Sequence, residues 1–190
     1  MAPRKSSQDE LSKDAILDVA RELFVSEGYA SISMRKIANL LKCSHGAIYY
    51  HFKNKAELFY EMIAHDFKEL DQELDDVLND KNMTNDEKLF SVMYRFIHFG
   101  LTHQNQYEVM FLLKDEEVKS YLIQEPSQSY QKFAEAIVSL SNKRLHTKEI
   151  WSLFISLHGF VTQYCRTDAT FEDVKELAKS HVEFLLKAIK

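Results

Sequence analysis

Apolar residues recur along this chain with a helical period almost from end to end. Ile16, Val19, Ala20, Leu23 and Phe24 fall at i, i+3, i+4, i+7 and i+8, with Ser12 placed to cap a helix over residues 12–27 and Gly28 to stop it. Met34, Ile37, Leu40 and Leu41 make the apolar side of a short second helix behind Ser33. Ala47, Ile48 and Phe52 do the same for a third behind Ser44, and only Lys42 and Cys43 lie between the two. Asn54-Lys-Ala-Glu57 has the form of a capping box, opening a long helix with Phe59, Met62, Ile63, Phe67, Leu70, Leu74 and Val77 on one face and an end near Asn79.

The same reading continues through the second half. Thr84-Asn-Asp-Glu87 is another capping box, for a helix carrying Leu89, Phe90, Met93, Phe96, Ile97 and Gly100. Tyr107–Leu113 is short and apolar, and Asp115–Glu125 is charged with a weak helical pattern. Tyr130, Phe133, Ala134, Ile137 and Val138 then mark a helix after Pro126. Thr147 is placed to cap a helix with Ile150, Trp151, Phe154, His158, Val161 and Cys165. Thr170 is placed to cap the last, with Val174, Leu177, Ala178, His181, Val182, Leu185, Leu186 and Ile189. The pattern predicts an all-α protein of about nine helices. Two short helices joined by a tight turn form a helix-turn-helix, whose second helix is placed to enter a DNA major groove.

Composition agrees: 190 residues with only 4 Gly and 2 Pro leave few of the breaks that a sheet protein needs. No apolar run approaches the ~20 residues of a membrane span. The opening Met-Ala-Pro-Arg-Lys-Ser-Ser lacks the apolar segment of a secretory signal, so a cytoplasmic protein without a membrane partner is expected. Cys43 and Cys165 show no metal-ligand spacing. The eight His form no i, i+4 pair, and no motif of hydrolytic or nucleotide chemistry occurs, so no catalytic residue, metal or cofactor is expected.

Charge is more informative divided than summed. The net charge is −5, yet residues 1–55 carry nine basic and six acidic side chains, +3, leaving −8 for the rest. Between Gly28 and Ala56 there are five basic residues, two His and no acid, the signature of a surface facing a polyanion or of a plain solvated basic face. Position favours the first. With Ala47, Ile48 and Phe52 turned inward, His45, Gly46, Tyr49 and Tyr50 face out, where a phenol packs along sugar and donates to phosphate. Lys53 and Lys55 stand at the start of the long helix, where ammonium groups and the helix N-terminus both attract phosphate. One of Tyr49, Tyr50 and His51 is expected to fill the junction with that helix instead, with Tyr50 the first choice.

Residues 12–63, and above all the string Ile37-Ala-Asn-Leu-Leu-Lys-Cys-Ser-His-Gly-Ala-Ile-Tyr-Tyr-His-Phe-Lys-Asn-Lys-Ala-Glu-Leu58, closely resemble the DNA-binding domain of the tetracycline-repressor (TetR) family. The resemblance implies a homodimer with each third helix in a major groove of an operator duplex. Arg35, His45, Gly46 and Ala47 match base-contacting positions of the family, and Ser33, Tyr49, Tyr50, His51 and Lys55 match phosphate-contacting ones. Ser44 and Lys53 complete the expected DNA-contacting set. The chain departs from the family pattern at Met34, where relatives carry Thr or Ser, and at Lys42, where they carry Gly. The latter calls for a less favoured backbone or a different turn. Cys43 replaces a small apolar residue and reads as a buried plug.

Beyond residue 63, Trp151 with His158-Gly159, preceded by Tyr107-Glu-Val-Met-Phe111, resembles the C-terminal domain of a TetR subgroup marked by Trp and His-Gly residues. That resemblance implies a helix-turn-helix domain over residues 1–53, with a short basic arm, and an effector-binding and dimerisation domain over 54–190. It also implies a small-molecule cavity and a four-helix bundle made by the last two helices with their symmetry mates. For an effector, largely apolar, the candidates are Phe90, Met93, Tyr94, Phe96, Ile97, Met110, Phe111, Tyr130, Phe133, Phe154, His158 and Gln163; most such stripes are packed core, and Tyr94, Tyr130, His158 and Gln163 best suit polar orientation of a ligand. The expected function is a repressor released by a small molecule. The alternative is a DNA-binding module of the same fold controlled by a protein partner.

Overall fold

A computed structural model describes residues 11–113, 124–142 and 145–189. Among them are nine α-helices and no strand. We label them α1 (Lys13–Glu27), α2 (Met34–Leu40), α3 (His45–His51), α4 (Lys55–Asn79), α5 (Asn85–Thr102), α6 (Gln104–Tyr107), α7 (Gln124–Leu140), α8 (Thr147–Tyr164) and α9 (Phe171–Ile189). A single π-helical stretch, Glu108–Leu112, continues α6.

Five of the short polar residues expected as caps act as caps, though at Asn54 the box does not close, because Glu57 accepts from the Lys53 N–H instead of the Asn54 N–H. The Ser12 hydroxyl accepts from the Ala15 N–H at 3.1 Å, Ser33 from Lys36 at 3.3 Å, Ser44 from Ala47 at 3.2 Å and Asn54 from Glu57 at 2.8 Å. Thr84 and Glu87 close a reciprocal box at the start of α5. At Gly28, φ 78° and ψ 157° lie where only glycine is unstrained, so the chain leaves α1 sharply there. Two starts differ from expectation. Thr147 is the first helical residue of α8, with His146 ahead of it donating its N–H to Glu149 at 2.7 Å. Helix α7 begins at Gln124, so Pro126 lies in its first turn, where a missing N–H costs nothing. Of the charged stretch Asp115–Glu125, residues 115–123 lie outside the described residues.

Helices α1–α3 close over the first turns of α4. Ile16, Ala20, Phe24, Ile37, Ile48, Phe52 and Phe59 are all buried, and the Phe24, Tyr29 and Phe59 rings meet at 5.1–5.6 Å. Each of these side chains except Ala20 contributes about 1.5–3 kcal/mol by leaving water. Helix α4, 25 residues and so ~38 Å long, then runs on to pack against α5 and α7, while α5 is held between α4, α8 and α9. Gly100 lets α5 come close to its neighbours: a Cβ there would lie 2.5 Å from Val161 of α8 and 2.9 Å from the Tyr107 ring. Helix α6 and its π-helical continuation also touch α1, which brings the second half of the chain onto the helix-turn-helix. No helix of the described residues is long and apolar enough to cross a membrane.

Candidate nucleic-acid interface and effector cavity

Helix α3 buries Ile48 and, at its end, Phe52, which turns the opposite side outward. Tyr50 is 86% exposed and Tyr49 54%. Tyr50 therefore does not fill the junction with α4, and His51 is half-buried with its ring 5.3 Å from Tyr50 and 6.4 Å from Phe52. Gly46 is exposed, and a Cβ there would meet nothing nearer than the Ser44 hydroxyl at 3.8 Å, so the fold itself does not demand glycine. His45 and Ala47 are half-buried beside it. Ser33 and Ser44 hold the starts of α2 and α3.

The cations around α3 divide into committed and uncommitted. Lys36 pairs with Glu27, Lys13 with Glu61, and Lys53 lies 3.7 Å from Glu57. The Lys55 ammonium donates to the Tyr29 carbonyl at 2.8 Å and sits 3.9 Å from the Tyr29 ring centre, so it ties α4 to the end of α1. Arg35 and Lys42 are exposed and have no ion-pair partner among the described residues. Lys42 adopts φ 52°, the left-handed backbone that the missing glycine of the turn calls for. Cys43 is half-buried against the core.

A buried polar node joins this unit to the rest. Arg21 of α1 donates to both oxygens of Asp66 on α4, at 3.0 and 2.5 Å, and to Asp18 at 2.8 Å. Gln106 of α6 donates to Asp66 at 3.2 Å and to Glu69. Asp66 is wholly buried and Arg21 is 7% exposed. Burial pushes the Asp66 carboxyl above its usual range, against the pull of Arg21. Burial draws the Arg21 guanidinium down, and Asp66 with Asp18 more than restores it. The pattern held a signal for this node: Asp66 and Arg21 each stand within an apolar stripe, where an unpartnered charge is not tolerated.

A cavity of about 30 Å³ lies between α4, α5, α7 and α8. Phe67, Leu70, Asp71, Glu73 and Leu74 come from α4; Val92, Arg95 and Phe96 from α5; Phe111 from the π-helical stretch; Pro126, Ser129, Tyr130 and Phe133 from α7; and Phe154 from α8. Asp71 accepts from Ser129 at 2.6 Å and Lys132 at 2.8 Å, and Arg95 donates to Glu73 at 3.0 Å. The volume admits about two waters, against the ~300–1,000 Å³ of drug-sized sites.

Of the expected effector residues, Phe96, Phe111, Tyr130, Phe133 and Phe154 line the cavity. His158 stands one ring behind it, stacked 6.0 Å from Phe154, its Nδ1 2.5 Å from the Tyr107 hydroxyl. Burial lowers the His158 pKa and pushes that of Tyr107 well up, so both rings are neutral near pH 7. Phe90 and Tyr94 stack on each other at 5.3 Å, and Tyr94 meets Phe171 of α9 at 5.6 Å. Met93, Ile97 and Met110 are buried core that does not line the cavity. Gln163 is exposed at a surface groove with Phe160, Leu177, His181 and Phe184. The α4 lining, Val92, Arg95, Pro126 and Ser129 were not expected. Phe67, Leu70 and Leu74 mark the face of α4, and only the approach of α5 and α7 makes Asp71 and Glu73 part of a cavity wall.

Residues 16–62 match the family model described as bacterial regulatory proteins, tetR family. The HTH-type transcriptional regulator QacR of Staphylococcus aureus (strain Mu50 / ATCC 700699) is 47% identical over 51 residues, 27% of each chain. YhgD of Bacillus subtilis (strain 168), an HTH-type transcriptional regulator, is 28% identical over 120 residues, 63% of this chain and 61% of its own. The chain thus spans from about a quarter to three fifths of the length of these relatives. In fold, it is similar to the transcriptional regulator FadR from Bacillus subtilis, solved with stearoyl-CoA, with a TM-score of 0.75, 20% identity, and coverage of 94% of this chain and 100% of that one. Over residues 16–62, from α1 into α4, the chain is thus similar to the tetR family of bacterial regulatory proteins, and over its length it shares an all-helical fold with FadR.

Proposed function

We propose that this chain is a cytoplasmic, ligand-responsive repressor that binds a palindromic operator as a homodimer. The observation that carries the reading is the outer face of α3: Tyr49 and Tyr50 project into solvent where nothing in the fold requires them, beside the uncommitted Arg35 and Lys42. Tyr49, Tyr50, Lys53 and the caps of α2 and α3 hold phosphates, while Arg35, His45, Gly46 and Ala47 read base edges. Lys55 acts by fixing the start of α4 to α1 and presents that helix's N-terminus to the backbone. The family is one of DNA-binding regulators rather than of enzymes.

The dimer forms through α8 and α9, where Trp151, Ile155, Leu177 and Phe184 remain exposed. Exposed apolar residues on adjacent helices suit a four-helix bundle with a second copy. An effector entering between Phe111 and Phe154 moves the π-helical stretch and α6. Gln106, Asp66 and Arg21 then carry that displacement to α1, so the ligand's preference for one arrangement becomes a loss of operator affinity. The small cavity favours a second reading, control by a protein partner, which predicts no small-molecule binding at all.

Tyr49→Ala should weaken binding to any duplex and lower the salt slope by ~0.9. Arg35→Ala should relax sequence preference, at a cost of ~1–3 kcal/mol at one base pair. Unchanged DNA binding in both variants would sink the interface, and sedimentation showing only monomer at micromolar concentration would sink the dimer.

A further inference from the structure

We propose that His65, Asp66 and Glu69 form a site for a borderline divalent transition-metal ion such as Zn(II), set where α4 meets α1 and α6. One donor atom from each of the three lies within 4.8 Å of the other two. His65 and Glu69 stand one turn apart on α4, and Asp66 adds its carboxylate from the buried side. An imidazole with two carboxylates suits Zn(II) and its neighbours, whereas Mg(II) and Ca(II) prefer oxygen donors alone. No His pair at i, i+4 marks the site in the sequence; a His and a Glu take that spacing instead.

Two observations besides the cluster point to a ligand. The His65 Nδ1 is buried and finds no hydrogen-bond partner among the described residues, with the Asp66 Oδ1 3.7 Å and the Glu69 Oε1 4.0 Å away. A buried polar atom left in this way calls for an ion or a water. Two donors on one tetrahedral zinc stand about 3.3–3.6 Å apart, so these spacings need to close by only some tenths of an ångström. Glu69 also lines a groove of about 680 Å³ with Asp18, Arg21 and Glu22 of α1. Its three carboxylates against one guanidinium draw in a cation, and it is roomy enough to supply a water as fourth ligand. The competitor is Gln106, whose side-chain amide donates to Asp66 at 3.2 Å and to Glu69 and so spans the two carboxylates. The ion takes the place of that neutral amide, while Arg21 keeps its bond to the other Asp66 oxygen at 3.0 Å.

Titration of the full chain with zinc against a chromophoric chelator tests this, with cobalt(II) spectra to identify the donors. A single zinc per chain is expected at micromolar affinity or better. Glu69→Gln and His65→Ala should each weaken it by at least about tenfold. Cys43→Ser should leave it unchanged, and Gln106→Ala should tighten it by removing the internal competitor. Cobalt(II) should show visible d–d bands without the near-ultraviolet charge-transfer band of a thiolate. Thermal melts check that each variant folds, and Glu69, with a side chain 45% exposed, keeps the test open if His65→Ala does not. No zinc bound at micromolar concentration, undiminished binding in Glu69→Gln or in a folded His65→Ala, weaker binding in Gln106→Ala, or a thiolate band would overturn the proposal.

Discussion

Replacing Asp66 by Ala should be among the most damaging single changes in the chain. The substitution removes both oxygens that Arg21 contacts at 3.0 and 2.5 Å and the one that Gln106 contacts at 3.2 Å. The guanidinium stays 7% exposed, with only the surface carboxylate of Asp18 left to it. Removing one partner of a buried pair costs about 3–5 kcal/mol, because the other charge is stranded away from water. At ~2–4 °C per kcal/mol for a chain of this length, Tm should fall by roughly 6–20 °C. Replacing both partners, Arg21→Met with Asp66→Leu, should stay within ~1 kcal/mol of the parent or exceed it, since the desolvation cost of both charges goes together. Calorimetry with a urea titration measures all three proteins. A loss under ~1 kcal/mol in Asp66→Ala would mean that water reaches Arg21 freely and that the node does not hold α1 to α4.

Three further outcomes follow from local geometry. Gly100→Ala should cost ~1–3 kcal/mol in urea unfolding, because its Cβ would sit 2.5 Å from the buried, branched Val161, and adding Val161→Ala should recover most of the loss. His158, whose pKa is lowered by burial, binds its proton more readily in the unfolded chain than in the folded one. Its contribution is therefore complete above the ordinary value of 6.5 and is lost as pH falls through the lower folded pKa; His158→Phe should flatten that acid slope in urea midpoints taken against pH. Lys42→Gly should raise Tm by a few degrees, since φ 52° costs a non-glycine residue ~1–2 kcal/mol, partly offset by the entropy of an added glycine; an unchanged or lower Tm would show that the turn bears no such strain.

Local chemistry was readable in advance; chemistry assembled from distant helices was not. Ser12, Ser33, Ser44, Asn54 and Thr84 cap their helices as expected, because a cap needs only a short polar side chain and an N–H two or three residues on. Lys42 was recognisable as a strained turn from one departure in a known string. Periodicity assigns a face but not what meets it. Phe90, Tyr94 and Phe96 share one helix and one kind of side chain, yet only Phe96 lines the cavity, while Tyr94 meets Phe171 of α9 and Phe90 stacks on Tyr94. The Arg21–Asp66–Gln106 node spans 85 residues of sequence, so no window on the chain contains it. Tyr50 misled because a bulky ring next to apolar Phe52 looks like packing, whereas the turn of α3 sends it outward.

The central claim is that two copies of α3 read one duplex. Selection of bound sequences from a random duplex pool by the free protein tests it most directly. The account predicts enrichment of an inverted repeat with half-site centres about 34–36 Å apart, or a multiple of one turn. It also predicts that Arg35→Ala degrades both halves of the repeat alike. Enrichment of a single asymmetric site, or of no sequence at all under conditions where the protein binds DNA, would contradict it.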